Sequence, residues 1–423
     1  MKQLLALFFV VCTIAIQAQS FTPFLGHVTN HSAIINCDVN HPTLDLKFIY
    51  TDQVKTDTLL ASRENEFLPF KLTLTALKAN TPYQIQFIIP DGNINSDTFS
   101  FTTKEANFLT SKKKYEFYLG SCLYINDTLE TYGKGTEVLN QVNPADFMIW
   151  SGDFTYYRGK DYDHIDRMNQ RWRKTRLDSN YLNFNFKMPS YVIWDDHDFG
   201  PNNANSEFEL KETSLNVFQH QTANPSYGQK DQPGVYFNID YHNNSFFFLD
   251  NRYYRTVDSL PDSQYLGKAQ YQWLTQELLK SKSSFKFIVS GSQVTNTFAV
   301  DEVMCKSSEY DSLIQFIVKN KIEGVVFLSG DRHFSEILKT DIPNGYPIYE
   351  ITSSPISSRA FTPWGKFSIE KDNQLRVKNM VNEQNIALIK VKGRFRKRLD
   401  VSFINKQGQV KLHHQIDYRH LRF

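Results

Sequence analysis

The chain has 423 residues, 41% hydrophobic and 14% aromatic, which exceeds the size at which one core keeps growing and predicts two domains. A net charge of +2 and a pI near 8.1 argue against general nucleic-acid or anionic-membrane binding, so an anionic ligand has to be held locally. Four cysteines in a chain of this length do not make a disulfide framework.

The N-terminus reads Met1-Lys2-Gln3, an apolar run from Leu4 to Ile16, then Gln17-Ala18-Gln19. A positive start, a hydrophobic stretch shorter than the ~20 residues that span a bilayer, and a small residue at Ala18 predict a signal peptide over residues 1–18. Export to the periplasm or the exterior follows. Cys12 has Val11 before it, a poor fit to a lipoprotein cleavage site, and it leaves with the leader. Cys37, Cys122 and Cys305 remain, each expected as a buried thiol, with Cys37–Cys305 pairing as the other option.

Residues 19–104 carry short alternating runs bounded by turn residues: Ser32 to Cys37, Leu46 to Tyr50, Phe70 to Leu74, Tyr83 to Phe87 and Phe99 to Thr103. That spacing predicts a β-sandwich of immunoglobulin size. A polar bridge with Lys112, Lys113 and Lys114 follows. Beyond it, over residues 105–423, apolar strands alternate with helical patterns in which Ile165, Met168 and Trp172 share one face, as do Tyr271, Leu274 and Leu278, and Tyr310, Leu313, Ile314 and Ile317. This rhythm predicts a layered α/β domain. The polar stretch from Asn202 to Gly234, with a helical piece over Glu207 to Gln219, is expected to shape a cleft entrance. The basic run from Lys390 to Arg398 is expected as a solvated strand edge.

Chemistry concentrates where apolar strands end. Phe147 to Trp150 break into Ser151-Gly152-Asp153, with Tyr156 three positions later. Similar endings deliver Gly120-Ser121-Cys122, Asp195-Asp196-His197-Asp198, Asp250-Asn251-Arg252 and Gly330-Asp331-Arg332-His333. Strand ends are where open α/β sheets collect ligands. A thiol (Cys122), a phenol (Tyr156), carboxylates (Asp153, Asp196, Asp331) and an imidazole (His333) describe a metal site. A phenol with a pKa near ~10 needs a strongly Lewis-acidic ion to bind as phenolate, and ferric iron is the natural choice. The oxygen-rich side suits Ca²⁺, Mg²⁺ or Mn²⁺, with Asp153 as the bridge. Two such cations would clamp a phosphoryl group and deprotonate a water. His197 is then the expected proton donor to the leaving alkoxide. Arg158, Arg252, Arg255 and Arg332 are the expected phosphate-binding cations, with Arg252 counted among the catalytic residues.

Gly152-Asp153-x-x-Tyr156 resembles a motif of purple acid phosphatases, and Asp196-His197-Asp198 resembles their Asn-His-Glu segment. The chain more closely resembles the alkaline phosphatase D family, through Gly120-Ser121-Cys122, Gly152-Asp153-x-x-Tyr156, Trp194-Asp195-Asp196-His197-Asp198, Leu249-Asp250-x-Arg252-x-x-Arg255, Leu266-Gly267-x-x-Gln270-x-x-Trp273-Leu274 and Leu328-Ser329-Gly330-Asp331-x-His333. The resemblance implies a four-layer α-β-β-α metallophosphoesterase sandwich preceded by a small all-β immunoglobulin or fibronectin III-like sandwich. It also implies hydrolysis of phosphomono- and phosphodiesters outside the cytoplasm with ferric iron and calcium. By that resemblance Cys122, Asp153, Tyr156 and His333 hold iron, while Asp153, Asp196 and Asp331 hold the divalent ion. Asp198 stands where the family shows Glu, and Arg332 replaces a small apolar residue. Gln293 falls near the position of a metal-binding His of purple acid phosphatases, and Asn202 and Asn203 are expected as turn residues. A non-catalytic surface binding protein that keeps metals for stability is the alternative. A paired-carboxylate glycosidase fits Cys122 and Tyr156 poorly.

Overall fold

In the computed structural model the described residues are 21–111, 114–125, 136–256, 263–362, 365–393 and 396–423. The predicted leader with Cys12, Lys112 and Lys113 of the polar bridge, and Arg394 and Phe395 of the basic run lie outside them.

Eight strands come first: β1 (Phe21–Val28), β2 (Ala33–Val39), β3 (Asp45–Thr51), β4 (Thr56–Ser62), β5 (Phe70–Leu74), β6 (Pro82–Ile89), β7 (Ile94–Asn95) and β8 (Phe99–Thr102). They form a sandwich of two sheets, ordered β1-β2-β5 and β4-β3-β6-β7, with β8 also on β6. The period-two pattern explains the packing: in β5, Phe70, Leu72 and Leu74 face the core while Lys71 and Thr73 face water. Phe48, Phe70, Phe87 and Cys37 meet inside. Cys37 and Cys305 are both free thiols, so they do not pair; Cys37 belongs to this core and Cys305 to a short 3₁₀ turn of the second domain.

The second domain contains β9 (Tyr115–Gly120), β10 (Phe147–Ser151), α1 (Ile165–Arg176), α2 (Ser179–Phe184), β11 (Ser190–Ile193), α3 (Asp196–Phe199), α4 (Lys211–Gln221), β12 (Phe237–Tyr241), β13 (Asn244–Phe248), α5 (Lys268–Lys280), β14 (Lys286–Val289), α6 (Ser308–Lys319), β15 (Val325–Ser329), β16 (Glu336–Thr340), β17 (Ile348–Thr352), β18 (Asn385–Lys392), β19 (Arg398–Asn405) and β20 (Val410–Asp417). These strands make two six-stranded sheets, β11-β10-β9-β18-β19-β20 and β12-β13-β14-β15-β17-β16. In the first, β9, β10 and β11 run parallel; in the second, β13, β14, β15 and β17 do.

Strand β10 shows why the layers stack as they do. Both its faces are apolar, as parallel strands covered on both sides require. Phe147 and Ile149 point between the sheets, into a core shared with Phe117, Phe246 and Phe287 and continuing to Leu274 of α5 and Leu313 of α6. Met148 and Trp150 point the other way, against Met168 and Trp172 of α1, Tyr181 of α2 and Phe218 of α4. The order is therefore helices, sheet, sheet, helices.

The sandwich is fastened to this domain through β1 and β2. Gly26 lies so close to the chain after α4 that a Cβ there would meet Ala223 O at 2.1 Å. The next residue, His27, donates its N–H to that oxygen at 3.1 Å and its ring lies 3.0 Å from the Tyr191 hydroxyl. Arg176 of α1 donates to Asp38 of β2 at 2.5 Å and to Gln221 O at 2.8 Å. Asn36 donates to His220 O and Thr222 O, each at 3.1 Å.

Candidate metal centre

Parallel strands of both sheets end on one side of the domain, and the turns that follow them carry the candidate ligands. Cys122 follows β9, Asp153 follows β10, Asp196 opens α3 after β11, and Asp331 and His333 follow β15. Cys122, Asp153, Asp331 and His333 adopt left-handed backbone conformations, with φ of 57°, 54°, 69° and 58°. Such a residue costs about 1 kcal/mol or more, so the surrounding turns must hold it. Leu123 N donates to Asp153 O at 2.8 Å, and Ser357 N and Ser358 N donate to Cys122 O at 3.2 and 3.1 Å. Gly330 lets the two sheets' turns touch, since a Cβ there would meet Ser151 O at 2.4 Å.

These turns converge. The Tyr156 hydroxyl donates to Asp153 Oδ2 at 2.9 Å, and Cys122 Sγ lies 3.4 Å from the same oxygen. Donor atoms of Cys122, Asp153 and His333 lie within 4.8 Å of one another, as do those of Asp153, Asp196 and His197, and those of Asp195, Asp196 and Asp331. Asp153 belongs to two of the three groups. Ser354 Oγ donates to the Cys122 sulfur at 3.1 Å.

The electrostatics fit cations. Burial, then Asp196, Asp195, Asp198 and Asp331, push the Asp153 carboxyl well above its usual range. Burial and Glu302 do the same to Asp331. Burial, reinforced by Asp153, raises both the Cys122 thiol and the Tyr156 phenol. In the protein alone, four acids are therefore pressed toward their neutral forms, and a multivalent cation between them reverses that preference. Burial and the neighbouring His197 lower His333 to about 4, which leaves a neutral imidazole with a lone pair for a metal. Asp196 already sits low: burial opposes its charge, but His197, Arg252 and the N–H groups of Asn203 and His197 outweigh it and hold it at about 2. A mixed thiol, phenol, imidazole and carboxylate set on one side, with carboxylates on the other, suits two cations sharing Asp153.

Beside these donors, His197 lines a cleft of about 450 Å³ together with Asp153, Asp196, Asp331 and His333. Its Nδ1 lies 2.9 Å from Arg158 Nη1 and its Nε2 3.5 Å from Nη2, so the guanidinium faces both ring nitrogens. Arg158 stacks 5.0 Å from the Tyr156 ring centre and 5.5 Å from that of Tyr124. Burial pushes Asp198 up to about 8; its oxygens accept Thr155 N–H at 2.7 Å and Asp195 N–H at 3.0 Å, joining the turns after β10 and β11.

Three expected phosphate-binding arginines have other work. Arg252 is 0% exposed, pairs with Asp195 at 2.5 Å and Glu302 at 2.6 Å, and does not line the cleft. It is corrected from a substrate-facing catalytic residue to an internal counter-ion. Arg255 likewise is buried, 3.9 Å from Glu302 and 4.9 Å from the Tyr265 ring centre. Arg332 lines the cleft, but its guanidinium pairs with the buried Glu370 and lies 3.4 Å from Asp331. In each case a carboxylate distant in sequence claims the cation. Gln293 is locked inside the domain, donating to Glu336 at 2.9 Å and Thr352 at 2.8 Å while accepting from Asn296 at 2.7 Å. Asn202 and Asn203 border the cleft, and Asn203 N donates to Asp196 Oδ2 at 2.8 Å.

Several residues were missed. Asp195 organises the floor by accepting from Arg252, Asn251 and Ser292, and its place beside Asp196 was the available signal. Ser354 could have been read from the Thr352-Ser353-Ser354 strand ending. Arg359, Phe361 and Phe367 form a further cleft wall on irregular chain, where no periodicity marks them.

Comparison with known proteins identifies the family and the fold. The family model of PhoD-like phosphatases matches residues 117–412. Alkaline phosphatase D of Bacillus subtilis (strain 168) is 22% identical over 312 residues, 64% of this chain and 51% of the relative, so the chain spans about half the length of the curated relative it matches. The solved structure of PhoD superposes with a TM-score of 0.77 at 18% identity, covering 95% of this chain and 91% of that one. Purple acid phosphatase PPD1 from yellow lupin (Lupinus luteus) seeds superposes with a TM-score of 0.67 at 12% identity, over 95% and 76%. At such identities the two structures speak for the shared fold.

Proposed function

This chain belongs to the PhoD-like phosphatase family, and from that premise we propose that it is a metal-dependent phosphoric ester hydrolase acting on small phosphomono- and phosphodiesters outside the cytoplasm. The observation that carries the reading is a chain of overlapping donor clusters, in which Asp153 and Asp196 each belong to two. Cys122, Asp153, Tyr156 and His333 would hold a ferric ion, and Asp153, Asp196 and Asp331 calcium, with Mg²⁺ or Mn²⁺ as the other divalent candidates. Bound there, such ions supply positive charge against a phosphoryl group and acidify a water.

The chain's own groups do the rest. His197 lines the cleft beside Asp153 and Asp196, where its ring can hydrogen-bond a phosphoryl or departing ester oxygen. Stacking against the Tyr156 ring, with centres 4.4 Å apart, fixes its direction. Asp198 and Asp195 position the turns that carry Asp153 and Asp196, and Arg252 offsets their charge from beneath. Export rests on the predicted leader; among the described residues no helix is long and apolar enough to cross a membrane.

The test is turnover of aryl phosphate mono- and diesters by the iron- and calcium-loaded protein beside its Asp153→Asn and His197→Ala variants. The wild type should exceed Asp153→Asn by about 10³-fold, equivalent to ~4 kcal/mol of transition-state stabilisation. A wild type no faster than both variants would return the chain to the non-catalytic reading. Metal analysis and a visible spectrum test the iron assignment separately, because phenolate and thiolate charge transfer should colour the protein and Tyr156→Phe should shift the band.

A further inference from the structure

The cleft floor is crowded with carboxylates, yet the ligand proposed for it is itself an anion. Bound ions would face the reacting phosphorus, and a protein cation not already paired would add to the hold on the phosphate oxygens at the rim. Arg332 is paired with Glu370 and close to Asp331, Arg252 and Arg255 lie off the cleft against carboxylates, and Arg158 is bonded to His197. Arg359 is different: it lines the cleft, it is exposed, and no carboxylate among the described residues lies within ion-pair distance of it.

Its backbone is held on both sides by the metal centre. The preceding residue, Ser358, has its hydroxyl 3.0 Å from that of Tyr156 and its N–H on Cys122 O. Two residues further on, Phe361 N donates to His333 O at 2.9 Å, and Phe361 O accepts from Asn382 at 2.9 Å. The Phe361 ring leans on Phe334 with centres 5.1 Å apart and is still partly exposed to the cleft. Phe367, also partly exposed, adds a second ring to the lining, on a 3₁₀ segment that Glu370 ties to Arg332. Two partly exposed phenyl rings beside an exposed guanidinium, over a polar floor, are an apolar contact surface with a charged anchor.

We propose that Arg359, Phe361 and Phe367 form the substrate-recognition wall, Arg359 binding phosphoryl oxygens and the two rings stacking on a planar aromatic group of the ester, of the kind found in a nucleoside monophosphate. The assignment rests on the phosphatase reading and narrows its substrate class.

Metal-loaded wild type, Arg359→Gln, Arg359→Lys, Phe361→Leu and Phe367→Leu are compared in two ways. Calorimetry measures affinity for inorganic phosphate and, separately, for adenosine, neither of which turns over. Steady-state kinetics compares adenosine 5′-monophosphate with ribose 5-phosphate, which lose phosphate from the same kind of primary alkoxide and differ in the base. Arg359→Gln should weaken inorganic phosphate about tenfold and leave adenosine unchanged, with Arg359→Lys in between. Each Phe→Leu variant should weaken adenosine and raise KM for the nucleotide about fivefold to tenfold, leaving inorganic phosphate and ribose 5-phosphate within about twofold. Should one Phe variant fail to fold, the other carries the same contrast. Unchanged phosphate affinity in Arg359→Gln overturns the arginine assignment. A wild type with no preference for the nucleotide, or Phe variants that affect both esters equally, overturns the aromatic one. Absence of ester turnover by wild type would instead sink the phosphatase reading, while the calorimetric contrasts still decide the wall.

Discussion

Where the sandwich meets the second domain a buried arginine meets a single buried carboxylate, whereas at the cleft carboxylates crowd against one another. Arg176 and Asp38, both 2% exposed, face each other across the join. Arg63, also buried in the sandwich, spreads its guanidinium over the carbonyls of Thr43, Leu68 and His41. At the cleft Asp153, Asp195, Asp196, Asp198 and Asp331 lie together, with Arg252 paired to Asp195 and Arg332 close to Asp331. The contrast separates two uses of buried charge. A matched pair holds a join in one geometry, and removing one partner leaves an uncompensated ion. An unmatched cluster weakens the protein alone and stores affinity for cations.

The largest effect should come from breaking the match. Arg176→Met strands Asp38 and should destabilise the chain by about 3–5 kcal/mol in urea unfolding, while Arg176→Met combined with Asp38→Leu should recover most of the loss. Acid tests the same join next. Burial, with Lys104 nearby, lowers His27 to about 4 from an ordinary 6.5. The unfolded chain takes up this proton near 6.5 and the folded one only near 4, so its stability contribution is complete above pH 6.5 and drains away as pH falls toward 4. The drain should reach about 3 kcal/mol, and His27→Gln should flatten that part of the Tm against pH curve. At the cleft the sign reverses: burial and its acidic neighbours raise the folded pKa of Asp153, which costs stability at neutral pH, so metal-free Asp153→Asn should be about 1–2 kcal/mol more stable than metal-free wild type, while its iron content by elemental analysis collapses. Leu60, 65% exposed on the edge strand β4, belongs to neither regime, and Leu60→Ser should move stability by no more than ~0.5 kcal/mol in the same melts.

Much of this architecture was legible before any coordinates. Alternation at Phe70, Leu72 and Leu74 marked a sandwich strand, and the doubly apolar run from Phe147 to Trp150 marked a strand covered on both faces. Local periodicity reports burial, which is why these elements could be read. β4 escaped because, at an edge, most of its residues face water and no apolar alternation survives. β16 escaped because its first residue, the fully buried Glu336, is charged and tolerable there only through Gln293 and Arg376. The donor residues were equally legible, since each stands just after an apolar strand or opens the turn beyond it.

What the sequence alone determined, then, was which side chains end the strands and which chemistry they bring. Tertiary structure decided the partners: Arg252 went to Asp195 and Glu302, Arg332 to Glu370, and Arg359 was left facing the cleft. The physical reason is reach. A strand's period is written over a few neighbouring residues, but a long cation can be claimed by any carboxylate that folding brings within a few ångströms, and that competition exists only once the turns have met.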